Sequence, residues 1–561
     1  MSRLRIGTRG SPLALWQANR IAAAIAACGG PPTELVVIRT SGDRPSERPL
    51  AEEGGKRLFV KEIEEALLDG RVDLAVHSAK DLPADRLPGL TVAAVLERGD
   101  PHDGIVLNAD RPAGGSADGI LRAGGIRVGT GSIRRTAQLR HAYPELDILP
   151  IRGNVGTRLR KLDDGQYDAL ILAAAGLERL DLAHRIAAHL PFDLCLPAPG
   201  QGILAAEYRG DDTATRDVVA TLADAETVAA LTAERTLVEA LGADCRTPLG
   251  AMAAVEGDSL RLRAIVAAPD GSHLIRQAGT GSLDDAAGLG ARVARALLEG
   301  GAGRLLRPLA GRRVLITRPH HQAADFADAL RVLGAEPVIV PMIRIVAPDD
   351  DRPLAQACAD AASFDWIVFT SANGVEAMLS RLPGRDRRLG DARIVAVGPA
   401  TAARLAHHGI RTDVIPKQHR AEAAAEELIH NYDLGGARIL LPRASLATRE
   451  LPDALREAGA TVTDVTAYRT MAVTDTGDTN LADMLARGAL HVVTFTSPSA
   501  VRTFVTLLGG SDRAGKLLAG VAVASIGPVT TAALEESGLR ADIVPETATV
   551  PALAEAIARR T

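Results

Sequence analysis

Short runs rich in β-branched residues alternate with Ala/Leu-rich stretches of helical spacing along almost the whole chain. That alternation restricts the fold to layered α/β architectures with largely parallel sheets. "LRIGT", "ELVVIRT", "VDLAVHS" and "DALILAAAG" read as strands, and "SPLALWQANRIAAAIAAC" and "FVKEIEEALLDG" as helices. Each predicted strand runs into a loop rich in Gly, Ser, Thr or charge. Open α/β sheets bind ligands at the carboxyl ends of their strands, so the chemistry is to be sought in those loops.

With 561 residues the chain is too long for a single core, and about three to five domains are expected. The texture changes at residues 300–312, where "LLEGGAGRLLRPLAGRRVLITRP" passes from a helix through Gly and Pro into a fresh strand. We place the main boundary there. Beyond it lies an internal repeat. "RVLITRP" (313–319) is echoed by "RILLPRA" (438–444), "ALRVLGAEPVIVP" (329–341) by "ALREAGATVTDVT" (454–466), and "VFTSANGVEAML" (368–379) by "TFTSPSAVRTFV" (494–505). "VAVGPATAARLAHHGI" (395–410) is echoed in turn by "VASIGPVTTAALEESGL" (523–539). Offsets of roughly 125 to 129 residues describe two copies of one α/β unit with a cleft between them.

Several classes of function are disfavoured. A formal net charge of −5 and 2% aromatic residues supply neither the basic field nor the stacking platforms of a nucleic-acid binder. No run reaches the ~18 apolar residues of a membrane span, and the charged N-terminus does not read as a signal peptide. The four cysteines, Cys28, Cys195, Cys245 and Cys358, are far apart without zinc or disulfide spacing. A cytoplasmic protein with reduced thiols and no metal is expected.

Against the negative total, arginines gather at predicted strand ends: Arg9 in "GTRGSPLALW", Arg134 and Arg135 in "GTGSIRRTAQL", Arg152 and Arg158 in "RGNVGTR", and Arg179 in "AAAGLERL". A guanidinium offers a planar fork of donors matched to carboxylate or phosphate, and neighbouring glycines let a ligand approach the backbone. One surface arginine is more often merely solvated. Several in one half point to a polyanionic ligand. "VDLAVHSAKDLP" (72–83) sets Lys80 and Asp81 directly after a strand, where the carboxylate could steady a developing cation or move a proton. "LGADCRTPLG" places Cys245 beside Arg246, a cation able to favour the thiolate. The blander reading of Cys245 is a small buried hydrophobe.

Together "RIGTRGSPLALWQA", "VHSAKDLP", "GTGSIRRTAQL", "RGNVGTRLRKL", "PAPGQGILAAE" and "DCRTPLGA" resemble the porphobilinogen deaminase (hydroxymethylbilane synthase) family over residues 1–308. The remainder resembles the uroporphyrinogen-III synthase family through "VLITRP", "FTSANGV", "AYRT", "FTSPSAV" and "IGPVTTAAL". The resemblance implies a bifunctional enzyme of tetrapyrrole synthesis. Its first half would have two periplasmic-binding-protein-like α/β lobes, 1–97 with 196–218 and 98–195, plus a small α/β cysteine-bearing domain, 219–308. A two-lobed α/β synthase would follow at 312–561, with 312–345 and 472–561 in one lobe and 346–471 in the other.

By the same resemblance, porphobilinogen and linear tetrapyrroles are the substrates. Cys245 anchors a covalent dipyrromethane cofactor. Asp81 is the catalytic carboxylate, also close to the cofactor. Lys80, Ser132, Arg134 and Arg135 bind the cofactor's acidic side chains, and Arg9, Arg152, Arg158 and Arg179 bind substrate. In the synthase half Tyr468 assists loss of a hydroxyl, while Ser371, Asn373, Ser497, Ser499 and Thr530 line the cleft. Two alternatives stay open: a deaminase whose second half is not catalytic, and a two-lobed small-anion binder without catalysis.

Overall fold

A computed structural model describes residues 3–40, 60–83, 87–108, 115–243, 247–382, 389–416, 418, 420–445, 447–475 and 480–560. The chain divides into two compact units, Met1–Pro308 and Leu309–Thr561.

The first unit holds three sheets. In one, Leu4–Thr8 pairs in parallel with Thr33–Val37 and Leu74–Ser78, and Leu204–Arg209 returns antiparallel between Leu74–Ser78 and Leu90–Val95. In the second, Arg127–Gly129 lies parallel to Asp147–Leu149 and Ala169–Ala173, and Asp103–Leu107 runs antiparallel to Ala169–Ala173 and Ile186–His189. The third is an antiparallel meander, Leu249–Glu256, Ser259–Ala267 and Leu274–Gly281, whose apolar face packs against helices Ala225–Leu241 and Ala286–Glu299.

Local signals explain the element boundaries. Helix Pro12–Ala27 starts where Ser11 Oγ accepts from Ala14 N–H and Pro12 fills the first turn, and it buries Gln17, Ala18, Ile21, Ala24 and Ile25 on one face. It stops at Cys28, with Gly29 following at φ +72°. The strand expected over 168–176 ends at Ala173, because Ala174–Glu178 turns helical. An Ala-rich tail favours helix once the neighbouring strands stop.

Two chain crossings join the first two sheets, and they run side by side. Gly99 N–H donates to Gly202 O at 3.1 Å, and a Cβ on Gly202, at φ +87°, would lie 2.3 Å from Gly99 O. Beside them Arg98 Nη1 meets Glu234 Oε1 at 2.7 Å, while Arg98 Nε donates to Gln201 O at 2.8 Å. Glu234 is fully buried and also accepts from Gly200 N–H and Ala253 N–H, at 2.5 and 2.7 Å. One buried ion pair thus ties both crossings to the helix and meander of the third sheet. The satisfied lone pairs make such a pair tolerable in the interior.

The second unit contains two sheets. Arg313–Ile316, Glu336–Ile339, Val492–Phe495 and Ala522–Ser525 form a parallel four-stranded sheet with Arg313–Ile316 and Val492–Phe495 at its centre. Trp366–Phe369, Arg393–Ala396, Arg438–Ala444 and Thr461–Ala472 form the parallel part of the other. Ile343–Val346 adds to it antiparallel, from Ile343 opposite Ala472 to Val346 opposite Arg469. The repeat appears in matching caps: Ser371 and Ser497 each follow a strand and accept from the N–H three residues on, Gly374 and Ala500.

Candidate active site

In the first unit the site is built around a carboxylate that sequence reasoning passed over. Asp103 opens its strand and is fully buried. Its Oδ2 lies 2.8 Å from Arg134 Nη2 and its Oδ1 2.6 Å from Arg135 Nη2, while Gln201 Nε2 donates to Oδ1 at 2.9 Å. Burial pushes this carboxyl's pKa up, but the charges of Arg134 and Arg135 outweigh it and hold the group well below the usual carboxylate range.

Both arginines come from helix Ile133–Ala142, which Ser132 caps by accepting from Arg135 N–H. Each does further duty. Arg135 Nη1 donates to Ile171 O at 2.8 Å, and Arg134 Nη1 donates to Leu196 O and to Cys195 Sγ. Among the described residues the Nε atoms of both remain buried without a partner. Two guanidiniums answered by one carboxylate leave a surplus positive charge.

Gln201 carries that cluster to the next strand end. Its Nε2 donates to Asp103 and to Pro101 O at 2.8 Å, and its Oε1 accepts from Lys80 Nζ at 3.3 Å. Lys80 and the exposed Asp81 lie on the short turn Ala79–Asp81 after Leu74–Ser78, with Gly200 packed beneath at φ +76°. A Cβ at Gly200 would come within 3.0 Å of Ala79 Cβ and Lys80 N, so the close approach requires glycine. Burial lowers the Lys80 pKa to about 8; Arg135 and Arg134 push the same way, and Asp81 and Asp103 oppose.

Arg158, on helix Val155–Asp163, belongs to the same electrostatic neighbourhood. Burial lowers it to about 10, Arg135 and Arg152 contribute, and Asp81 opposes. The charge of Asp81 thus favours the charged forms of both Lys80 and Arg158. Arg9 sits half-buried just after Leu4–Thr8. Arg179 is spent differently: its Nη2 donates to Gly202 O at 2.5 Å and its guanidinium lies 5.7 Å from the Trp16 ring centroid, which makes it a brace for the crossing. Lys80, Arg134 and Arg135 thus join one bonded cluster through Asp103 and Gln201, and the charges of Asp81, Arg152 and Arg158 act in the same electrostatic neighbourhood. Asp103 and Gln201 had no signal beyond their place in the "PHDG" and "PGQG" crossings.

Cys245 lies outside the described residues, between Ala225–Leu241 and Leu249–Glu256 in the sequence. Of the other cysteines two are buried and one is exposed. Cys195 is fully buried, held between Asp103 and Arg134, and burial pushes its thiol up to about 12. Burial likewise raises Cys358 to about 11, in the other unit. Cys28 closes the first helix and is exposed, with its Sγ near Thr221 O.

In the second unit Ser371 Oγ and Tyr468 OH are 2.9 Å apart, and Asn373 Oδ1 accepts from Gln322 Nε2 at 2.6 Å. The second contact joins the two sheets' helices, His320–Val332 and Ala372–Leu379. Ser497 caps Pro498–Leu507 and Ser499 is exposed on its first turn, whereas Thr530 is only 3% exposed. Among the described residues no cluster of three or more His, Cys, Asp or Glu could hold a metal, and no helix is long and apolar enough to cross a membrane.

Residues 4–217 match the family model for the porphobilinogen deaminase dipyromethane cofactor binding domain, and residues 228–299 match that for the porphobilinogen deaminase C-terminal domain. Residues 324–555 match the model for uroporphyrinogen-III synthase HemD. The porphobilinogen deaminase of Bordetella parapertussis is 47% identical over 318 residues, 55% of this chain and 97% of the relative. That of Acidithiobacillus ferrooxidans is 47% identical over 304 residues, 54% of this chain and 97% of its own length. Among solved structures, a mutant uroporphyrinogen III synthase of Thermus thermophilus aligns over 44% of this chain and 98% of its own, at 20% identity and a TM-score of 0.34.

Proposed function

The chain belongs to the porphobilinogen deaminase family and carries a uroporphyrinogen-III synthase domain, and on that premise we propose how its own residues share the two reactions. The first unit joins four porphobilinogen molecules into linear hydroxymethylbilane, and the second closes that product to uroporphyrinogen III. The observation that carries the first reading is the buried Asp103, Arg134, Arg135 and Gln201 cluster bonded to half-buried Lys80, the neighbour of Asp81 on one turn.

Each pyrrole brings an acetate and a propionate. The surplus cations, with two buried Nε donors still unpartnered among the described residues, fit a group rich in carboxylates. Lys80, Ser132, Arg134 and Arg135 would hold the dipyrromethane and Cys245 would carry it through a thioether. Once bound, that group supplies the primer and its nucleophilic pyrrole carbon. The family resemblance assigns the anchor to Cys245, and Cys195, fully buried with its Sγ against Asp103, has its thiol pushed up by burial. Arg9, Arg152 and Arg158 take up incoming carboxylates. Loss of ammonia from porphobilinogen develops positive charge on the pyrrole, which the Asp81 carboxylate stabilises.

In the second unit Tyr468, whose hydroxyl shares a hydrogen bond with Ser371, would donate a proton to the departing hydroxyl. Asn373, Ser497, Ser499 and Thr530 are assigned to positioning the chain ends for closure.

Intact mass and product isomers test the assignment together. The wild-type chain should exceed its calculated mass by one dipyrromethane and Cys245→Ser should not, while porphobilinogen turnover should yield the type III isomer. An unmodified wild type would remove the anchor. Formation of type I alone would remove the synthase.

A pH profile follows from Lys80. Its ammonium must be charged to bind carboxylate, and its pKa of about 8 means that charge is lost as pH rises through that value. Loading of dipyrromethane onto chain freed of it, read by intact mass after incubation with porphobilinogen, should therefore weaken above about pH 8 in the wild type. Lys80→Arg, charged throughout, should flatten that decline; an unchanged decline would assign it to another group.

A further inference from the structure

The repeat in the second unit holds two equivalent arginines that fare differently. Arg443 follows the pattern of "RILLPRA", and Arg318 stands at the same place in "RVLITRP". Arg443 is 5% exposed and fully engaged: its Nε donates to Asp464 Oδ1 at 2.9 Å, its Nη2 bonds Asp464 Oδ2, and its Nη1 donates to Thr448 O at 2.6 Å. The acid comes from the adjacent parallel strand, where Asp464 stands opposite Leu441. In the first copy Ile316 is the counterpart of Leu441, and its partner across the strands is Ile339. The acid has been replaced by a hydrocarbon.

Arg318 is consequently half-buried, and among the described residues it has no hydrogen bond or ion pair. Burial lowers its pKa, with Asp325 the one opposing charge. A part-desolvated guanidinium with no carboxylate bonded to it costs stability, and such a cost is tolerated where an anion from outside makes the missing contact. Its position fits. Arg318 follows the carboxyl end of a central strand beside Val492–Phe495, the strand that leads to Ser497. One helical turn onward, Gln322 reaches Asn373 on the other sheet's helix.

We propose that Arg318 is a substrate-binding residue of the second unit, accepting a carboxylate side chain of the linear tetrapyrrole where Asp464 occupies the equivalent arginine of the other copy. The inference rests on the synthase reading above.

The test uses the full chain with hydroxymethylbilane as substrate. Arg318→Ala should raise KM of the closure step about tenfold or more, the loss expected for one charge-assisted hydrogen bond. The rate of porphobilinogen consumption by the first unit should not change. Ile339→Asp would restore the internal acid, so it should raise KM similarly while leaving the second unit at least as resistant to heat. That substitution carries the test if Arg318→Ala fails to fold. A wild type that yields only the type I isomer would defeat the synthase reading itself. A wild type that yields type III, with KM unmoved in the folded variants, would overturn the role of Arg318 alone.

Discussion

Asp103→Ala is expected to destabilise the first unit by about 3–5 kcal/mol, the range found when one member of a buried ion pair is removed. The carboxylate is fully buried between Arg134 and Arg135, and its loss leaves two guanidiniums in the interior with no counter-ion. Asp103→Asn keeps the shape and one acceptor oxygen, so it should cost less. Hydrogen exchange across helix Ile133–Ala142 in denaturant would read both. A loss under about 1 kcal/mol for the alanine variant would mean that the arginines hold each other apart by other means.

The pH dependence has a definite sign. The Asp103 pKa is depressed by folding, so its contribution is complete above the unfolded value of about 4 and is lost as pH falls below it. In Asp103→Ala that acid limb should shrink. Because the same carboxylate fixes Arg135 and, through Gln201, steadies Lys80, porphobilinogen turnover should fail along with stability.

Asp81→Asn is expected to lower kcat of the deaminase about 10²–10³-fold with little effect on folding. Asp81 is exposed at the end of a short turn, and the bond from Lys80 to Gln201 does not involve it. The amide keeps the volume and removes the anion proposed to stabilise the developing cation. A second effect separates this electrostatic role from a steric one. The charge of Asp81 raises the Lys80 pKa, so its removal should bring that pKa below about 8 and move the alkaline decline in cofactor loading to lower pH. A kcat within about threefold of wild type would remove Asp81 from the chemistry.

The strand and helix alternation, the caps at Ser11, Ser371 and Ser497, and the stop at Gly29 all follow from local pattern. So do the division near residue 308 and the repeat. These depend on contacts within a few residues, or on likeness between segments, and a linear sequence displays both. The clustering of arginines, and of Lys80 with Asp81, after predicted strands is visible in the sequence too. What each of them does is not.

Arg134 and Arg135 read as ligand arginines equal to Arg152 and Arg158, yet they share a buried acid some 30 residues away, brought to them only by the sheet pairing. Gln201 joins Lys80 and Asp103 across separations of 121 and 98 residues. Arg179 supports the backbone at Gly202. Arg318 and Arg443 occupy equal places in the repeat, and their fates diverge because strand register sets an isoleucine beside one and an aspartate beside the other. The physical reason is common to all of these. A side chain's identity fixes its charge and donors, but what that charge is worth depends on burial and on the nearest counter-ion, and both are properties of the packed chain.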